Sequence, residues 1–293
     1  MTPQEEKTHF DTFGFLIKRQ LFSAEEMARY SRWYDEGFDA ACGSYKGSSF
    51  SQMYTPGIGL HPGFCDEYLD DTRILGTLEN LMGPDYLMDG SNAVRFSADT
   101  PWHQDIIIPM ELGRQEDFLA IKAVMYLDDL SSGPGSLQII PTSHRRGVRE
   151  ALQLVLRIDH GQNPIWADGL IAAGLPPTEV PGAVATRTRP GDIIFFNEKC
   201  FHSSWSGNVG RRYLGMNFVD RPTEPWHAQW LAYYSGQAFE GPHPPRYPDE
   251  LLATTKPHLR RLIDYMIELD ARRRSPDDGG PQPASHSRQA NCR

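Results

Sequence analysis

Short apolar runs separated by turn residues dominate the chain from Tyr86 onward. AVRFS, DFLAIKAVMYL, SLQII, GDIIFF and RRYLGMNFV each read as a strand, and several short strands with intervening turns predict a sandwich or barrel. Upstream, the segment from His9 to Tyr34 begins with the run FGFLIKRQLF and then turns helical, with Ser23 as N-cap and Glu25-Glu26 in the first turn, so a strand and then a helix are expected. Val148 to Ile158 and Asp249 to Leu269 carry helical apolar spacing, which places helices around a β core. Trp226, Trp230, Tyr233 and Tyr234 share one helical face, read as core-facing, or as a stacking surface for a sugar or ring substrate if that helix caps the barrel mouth. Gly43 to Gly63, rich in Gly, Ser and Pro, reads as a long loop and a lid candidate with Tyr45 and Tyr54 as contacts. The expected organisation is one domain over 1–271, with its β core at roughly 86–220 and helical decorations at both ends. Residues 272–293 lack large apolar side chains and are expected to form a disordered tail.

Composition narrows the class. With 293 residues, 39% hydrophobic and 23% charged, the chain can bury a sizeable core without covalent staples. No apolar run approaches the roughly 18 residues of a membrane span, and MTPQEEKTHF lacks the plan of a signal peptide, so a cytoplasmic location is expected. Cys42, Cys65, Cys200 and Cys292 form no C-x-x-C pair and are read as free thiols. A net charge of −9, with only the short basic clusters Arg145-Arg146 and Arg272-Arg273-Arg274, argues against a nucleic-acid partner. A small-molecule partner is expected, with no nucleic acid and no membrane, and the sequence assigns no oligomeric state.

The chemistry lies in three pieces. There is no G-x-S-x-G elbow and no Walker loop, and Gly133-Pro134-Gly135 reads as a hairpin turn. His103 and Asp105 in PWHQD point to one face of an extended segment, so an imidazole and a carboxylate can converge on one ion. GDIIFFNEKCFHSSWSGNVGRR carries a strand through a turn to His202. Joined to the local pair, this distant histidine completes the two-histidine, one-carboxylate facial triad of non-haem iron(II) enzymes. An arginine follows, Arg211 or Arg212, and a guanidinium can hold the far carboxylate of a keto-acid cosubstrate by two parallel hydrogen bonds.

WHQD at Trp102 to Asp105, YLDDLSSGPGSLQIIPTSHRRG at Tyr126 to Gly147, and GDIIFFN followed by His202, Asn208 and an arginine, taken in that order, resemble the phytanoyl-CoA dioxygenase-like iron(II)/2-oxoglutarate-dependent oxygenases over roughly residues 10 to 220. The resemblance implies a mainly β fold with decorating helices, a double-stranded β-helix of the jelly-roll, cupin-like kind. It also implies iron(II) held by His103, Asp105 and His202, with 2-oxoglutarate as cosubstrate and dioxygen as oxidant. Spacing within RRYLGMNF favours Arg211 as the anchor, with Arg212 as the alternative. Ser204, on the face of His202 by strand parity, can bond the same carboxylate or be a surface hydroxyl. Lys122 can touch cosubstrate or substrate, or lie at the surface. Where many members carry an inward Trp, this chain has Val124. The turn from His202 to Asn208 looks longer, and the stretch from Asn208 to Arg211 shorter, than is common.

The implied reaction oxidises substrate while 2-oxoglutarate becomes succinate and carbon dioxide. The Asp105 carboxylate disfavours halogenation. Nothing resembles a basic site for CoA phosphates. The expected function is therefore oxidation of a small metabolite, by hydroxylation, desaturation or oxidative cyclisation in natural-product biosynthesis. A non-catalytic jelly-roll binding protein and a zinc hydrolase using the same ligands are the alternatives. His144 is read as structural within its turn, and His61, His160, His227, His243 and His258 as surface or core.

Overall fold

The computed structural model describes residues 1–43, 45, 51–97, 99–106, 117–155, 174–237 and 245–273. Its strands form two antiparallel sheets. The larger has the order β1 (Phe15–Lys18), β8 (Ile193–Asn197), β5 (Ala120–Tyr126), β10 (Arg211–Asp220), β3 (Tyr86–Phe96) and β2 (Gln52–Tyr54). The smaller has β4 (Thr100–His103), β9 (His202–Ser204), β6 (Gln138–Ile139) and β7 (Val184–Ala185). This is the expected sheet-rich jelly roll with decorating helices.

Alternation along the central strands separates two apolar layers. Ala123, Met125, Ile193, Phe195, Leu214 and Met216 point outward into the large core under the helices. Val124, Tyr126, Ile194, Phe196 and Tyr213 point inward and pack with Leu137 and Ile139 of the smaller sheet's side. Because both faces are covered, β5 is buried at every position, which is why its sequence reads as a continuous apolar run rather than an alternating one. Lys122 is the exception within that run, and its partner is described below.

The helical layer is built from amphipathic stripes. α2 (Ala24–Cys42) starts at Ser23, whose side chain accepts from the Glu26 amide while Glu26 reaches back, and it buries Met27, Tyr30, Tyr34 and Phe38. α3 (Thr72–Met82) contributes Ile74, Leu78 and Leu81, and α7 (Pro257–Arg273) contributes Leu259, Leu262, Ile263 and Met266. α4 (Arg146–Val155), α5 (Pro225–Gln237) and the short α6 (Asp249–Leu252) complete the helices after the first strands. Among the described residues no helix is long and apolar enough to cross a membrane.

Several expectations need correction. A helix, α1 (Pro3–Phe13), precedes the first strand, so the run that begins at Phe13 is helix end, Gly14 cap and then strand. Its signal is the capping box of Thr2 and Glu5 with Pro3 at the first turn. Asp249 to Leu269 is two helices, because Pro257 begins a new one. α7 continues to Arg273, two residues into the segment expected as tail, and 274–293 lie outside the described residues. Cys65 and Cys200 are free and buried, but Cys42 is disulfide-bonded. Sequence spacing says nothing about such spatial proximity.

The expected long loop from Gly43 to Gly63 contains β2 and a tight turn at Gly57–Leu60, followed by a second turn at Phe64–Leu69; residues 44 and 46–50 lie outside the described residues. Tyr54 packs on the outer core beside Phe38, away from the inner face. Trp230 of α5 is buried and its ring centroid lies 4.9 Å from that of Phe118, and Trp226 packs half-buried on the same core, whereas Tyr233 is exposed, so the core-facing reading holds for the two tryptophans and not for Tyr233; the Tyr234 side chain lies outside the described residues.

Leu214 sits on β10 between Ala93 of β3 and Met125 of β5 and is fully buried. Leu214→Ala is expected to lower stability by about 2–5 kcal/mol, read from the shift of the urea denaturation midpoint; a change under 0.5 kcal/mol would contradict the packing described.

Candidate active site

β4 and β9 pair so that His103 and His202 are direct cross-strand partners, with ring centroids 4.1 Å apart. Asp105 follows two residues later. Its amide donates to the Glu198 carbonyl at 3.0 Å, which folds the carboxylate back over the two rings. One ligand atom from each of the three side chains lies within 4.8 Å of the other two.

The ring orientations suit a cation. His103 Nδ1 lies 2.7 Å from the Pro101 carbonyl and His202 Nδ1 3.0 Å from the Cys200 carbonyl. Each Nδ1 must therefore carry the proton, and each Nε2 presents a lone pair. Burial, with the neighbouring His103 adding to it, pushes His202 down to about 3, so its ring is neutral. Those lone pairs face Asp105 oxygens at 3.1 Å from His103 and 3.5 Å from His202. Acceptors facing acceptors across that gap repel, and a divalent transition metal relieves the repulsion while matching the nitrogen and oxygen donor set. The residues present fit an iron(II) ion.

Lys122, inward on β5, donates to Asp105 Oδ2 at 2.7 Å. Burial opposes ionisation of both partners, but the Lys122 ammonium holds the Asp105 carboxyl well below the usual range, and Asp105 holds Lys122 well above its own. Lys122 Nζ also stands 3.9 Å from Glu198 Oε2. Glu198 is 1% exposed, neither carboxyl oxygen has a hydrogen-bond partner, and burial pushes its pKa up to about 8. Glu198 escapes the sequence reading because NEKC looks like an exposed turn. The available signal is parity, since Glu198 shares the inward face of Ile194 and Phe196.

Adjacent residues on β10 separate cleanly. Arg212 pairs with Asp128 and Asp35 at 2.8 Å each. Arg211 is 3% exposed, and among the described residues it has no ion pair with a carboxylate. It donates from Nη2 to Ser204 Oγ at 2.9 Å, stacks 4.6 Å from the Phe96 centroid and leaves Nε without a partner. Burial lowers its pKa from the ordinary arginine value, but a guanidinium remains charged at neutral pH. Gly135 and Gly207 make room for it, for a Cβ at Gly207 would collide with the guanidinium. Ser204 in turn donates to the Gly135 carbonyl at 2.8 Å. An unpaired buried cation beside a hydroxyl fits the far carboxylate of a keto acid.

The remaining candidates lie elsewhere. His144 packs with Cys200 at 3.7 Å, its pKa pushed down to about 4 by burial, as its turn role requires. His61 stacks on Trp33, His258 pairs with Asp70, and His227 accepts from the Thr223 amide. His160 and His243 lie outside the described residues. Tyr45 lies against Gly210, next to Arg211.

A phytanoyl-CoA dioxygenase family model matches residues 10–211. The structure is similar to that of HygX from Streptomyces hygroscopicus with nickel and 2-oxoglutarate bound, at 20% identity and a TM-score of 0.57, over 75% of this chain and 87% of that one. It is also similar to the non-haem alpha-ketoglutarate-dependent carbocyclase SnoK from nogalamycin biosynthesis, at 19% identity and a TM-score of 0.53, over 74% and 83%. The corresponding epimerase SnoN gives 17% identity and a TM-score of 0.52, over 83% and 92%. At these identities the likeness carries the fold alone. No curated protein matches the chain.

The contrast between the two arginines is testable without ligand. Arg212→Ala should lower stability by about 1 kcal/mol by breaking a partly exposed ion-pair network. Arg211→Met should leave the melting temperature unchanged or raise it, since replacing a buried charge by an apolar group of similar volume is often neutral or stabilising by about 1–4 kcal/mol. Thermal denaturation of the metal-free variants decides, and the opposite ranking would reject the burial pattern.

Proposed function

The chain belongs to the phytanoyl-CoA dioxygenase family, and on that premise we propose that it is an iron(II)- and 2-oxoglutarate-dependent oxygenase acting on a small-molecule metabolite. The observation that carries this reading is the buried Arg211, which meets no carboxylate among the described residues and bonds Ser204 on the strand that carries His202 of the His103, Asp105 and His202 cluster. A binding protein without turnover, or a zinc hydrolase, has no use for a keto-acid clamp.

His103 and His202 would offer Nε2, and Asp105 an oxygen, to iron(II). Arg211 and Ser204 would hold the far carboxylate of 2-oxoglutarate. When bound, iron and cosubstrate supply the oxidising power, with dioxygen consumed and the keto acid released as succinate and carbon dioxide.

The chain's own part is placement and exclusion. Pro101 and Cys200 carbonyls fix the imidazole tautomers. Lys122 occupies Oδ2 of Asp105 and so orients the carboxylate. Val124, Tyr126, Phe196 and Tyr213 keep bulk water from the inner wall. The presence of the Asp105 carboxylate disfavours halogenation. Hydroxylation, desaturation and oxidative cyclisation all remain within this chemistry. The carbocyclase and epimerase names of the structural neighbours from nogalamycin biosynthesis support a specialised metabolite as substrate.

Anaerobic addition of iron(II) and 2-oxoglutarate should produce a weak visible charge-transfer band. His103→Ala, Asp105→Ala and His202→Ala should each lose it together with iron affinity; wild-type affinity in any two would reject the ligand assignment. Arg211→Ala should raise the 2-oxoglutarate concentration needed for the band by about thirty-fold or more, as expected from removing one partner of a buried charge pair worth about 2–5 kcal/mol, with iron affinity little changed. Arg212→Ala should shift that requirement far less, and the reverse order in the titration would move the anchor to Arg212.

A further inference from the structure

On the inner wall, Lys122, Asn217 and Gly90 are cross-strand partners in one row across β5, β10 and β3. Partners share a face, and the contact of Lys122 with Asp105 identifies that face as the metal side. On β8 the partner of Lys122 in that row is Phe196, and Glu198, two residues further along the same inward face, begins the next row. In the adjoining row Asn92 and Val124 flank Gly215.

This wall holds acceptors with nothing to accept. Both Glu198 carboxyl oxygens, Asn217 Oδ1 and Asn92 Oδ1 are buried and without hydrogen-bond partners. Two nearby cationic donors are engaged, Lys122 by Asp105 and Arg246 by Asp89 and Asp270. A Cβ added at Gly90 would meet no atom within 4 Å, so open space adjoins the row. Buried acceptors are almost always satisfied in native proteins, and several exceptions on successive rows of one inward sheet face beside the metal ligands mark a place where a ligand brings the donors.

We propose that Glu198, Asn217 and Asn92 form the substrate wall of this site and that it takes a ring rich in hydrogen-bond donors, a polyhydroxylated or aminated carbocycle or sugar. An acyl chain offers no donors, and an anionic group such as a phosphate brings acceptors to a wall that already presents acceptors. The inference rests on the iron and 2-oxoglutarate reading for the position of the reacting atom, and it adds the chemistry of the molecule held there.

The test is anaerobic calorimetric titration of the protein loaded with iron(II) and 2-oxoglutarate, using three probes: 2-deoxystreptamine, myo-inositol and cyclohexanecarboxylate. At least one of the first two should bind and the carboxylate should not. Asn217→Leu should weaken the bound ring at least tenfold. Glu198→Gln should weaken 2-deoxystreptamine at least tenfold and inositol less, which separates ammonium from hydroxyl donors. A purely structural Glu198 would leave probe affinity untouched, and circular dichroism melting verifies that both variants are folded. Preference for the carboxylate, ring affinities equal in wild type and both variants, or no binding of either ring would overturn the proposal. The charge-transfer band of iron and 2-oxoglutarate needs no substrate. Its presence without ring binding sinks the substrate wall alone, whereas its absence sinks the oxygenase reading and this inference with it.

Discussion

The site depends on a peptide that bridges two sheets. β8 belongs to the larger sheet and β9 to the smaller, and the chain crosses between them in the few residues after Asn197. At that crossing the Glu198 amide donates to Ala120 of β5 while its carbonyl accepts from Asp105. Asn197 tightens the turn by accepting from the Lys199 amide through its side chain and from the Cys200 amide through its carbonyl. His202 and Asp105 come from segments nearly a hundred residues apart, and besides the pairing of β4 with β9 this residue ties them directly, bonding Asp105 four residues before His202. Displacing it would shift Asp105 against both imidazoles, and a metal site tolerates little such movement.

A second constraint is electrostatic. An inner wall of Val, Ile, Phe and Tyr has little capacity to solvate charge, yet it contains Asp105, Lys122, Glu198 and Arg211. Only Asp105 and Lys122 satisfy one another closely. Glu198 keeps two bare oxygens and Arg211 a bare Nε. Burying polar or charged groups without a full set of partners lowers stability, so this arrangement persists where ligands complete it. Other buried charges show the contrary habit: Arg95 bonds Asp39 and Asp35, and Arg246 bonds Asp89 and Asp270. Charges that serve architecture are paired within the chain.

What the sequence makes legible follows from these constraints. Strand positions could be read because the core strands are covered on both faces and therefore carry unbroken apolar runs, and the convergence of His103 with Asp105 follows from two-residue periodicity. The pairing of His103 with His202 is a tertiary register that no local pattern encodes. Within the sequence, only their place in a familiar order of motifs relates the two segments. Glu198 was hidden for another reason, since a charged residue after an apolar strand is usually solvated, and burial reverses that expectation only when the turn crosses inward. α1 was hidden in plain view, because its capping box is a local signal outweighed by the apolar run that follows it.

The two arginines show how much a single strand can decide once its faces are known. Sequence alone leaves Arg211 and Arg212 as near equivalents, both basic and both at the start of β10. Strand geometry forces them to opposite faces, and the surroundings then differ in kind. Arg212 reaches Asp128 on the turn after β5 and Asp35 on α2, so its charge ties strand, turn and helix together on the outside. Arg211 enters between Phe96, Gly135 and Gly207, where the glycines admit the guanidinium and no carboxylate among the described residues answers it. The missing Cβ atoms and the missing counter-charge are parts of one arrangement. Side chains at the two glycines would close the space in which the guanidinium lies, and a built-in carboxylate would occupy the very donors that a dicarboxylic cosubstrate requires.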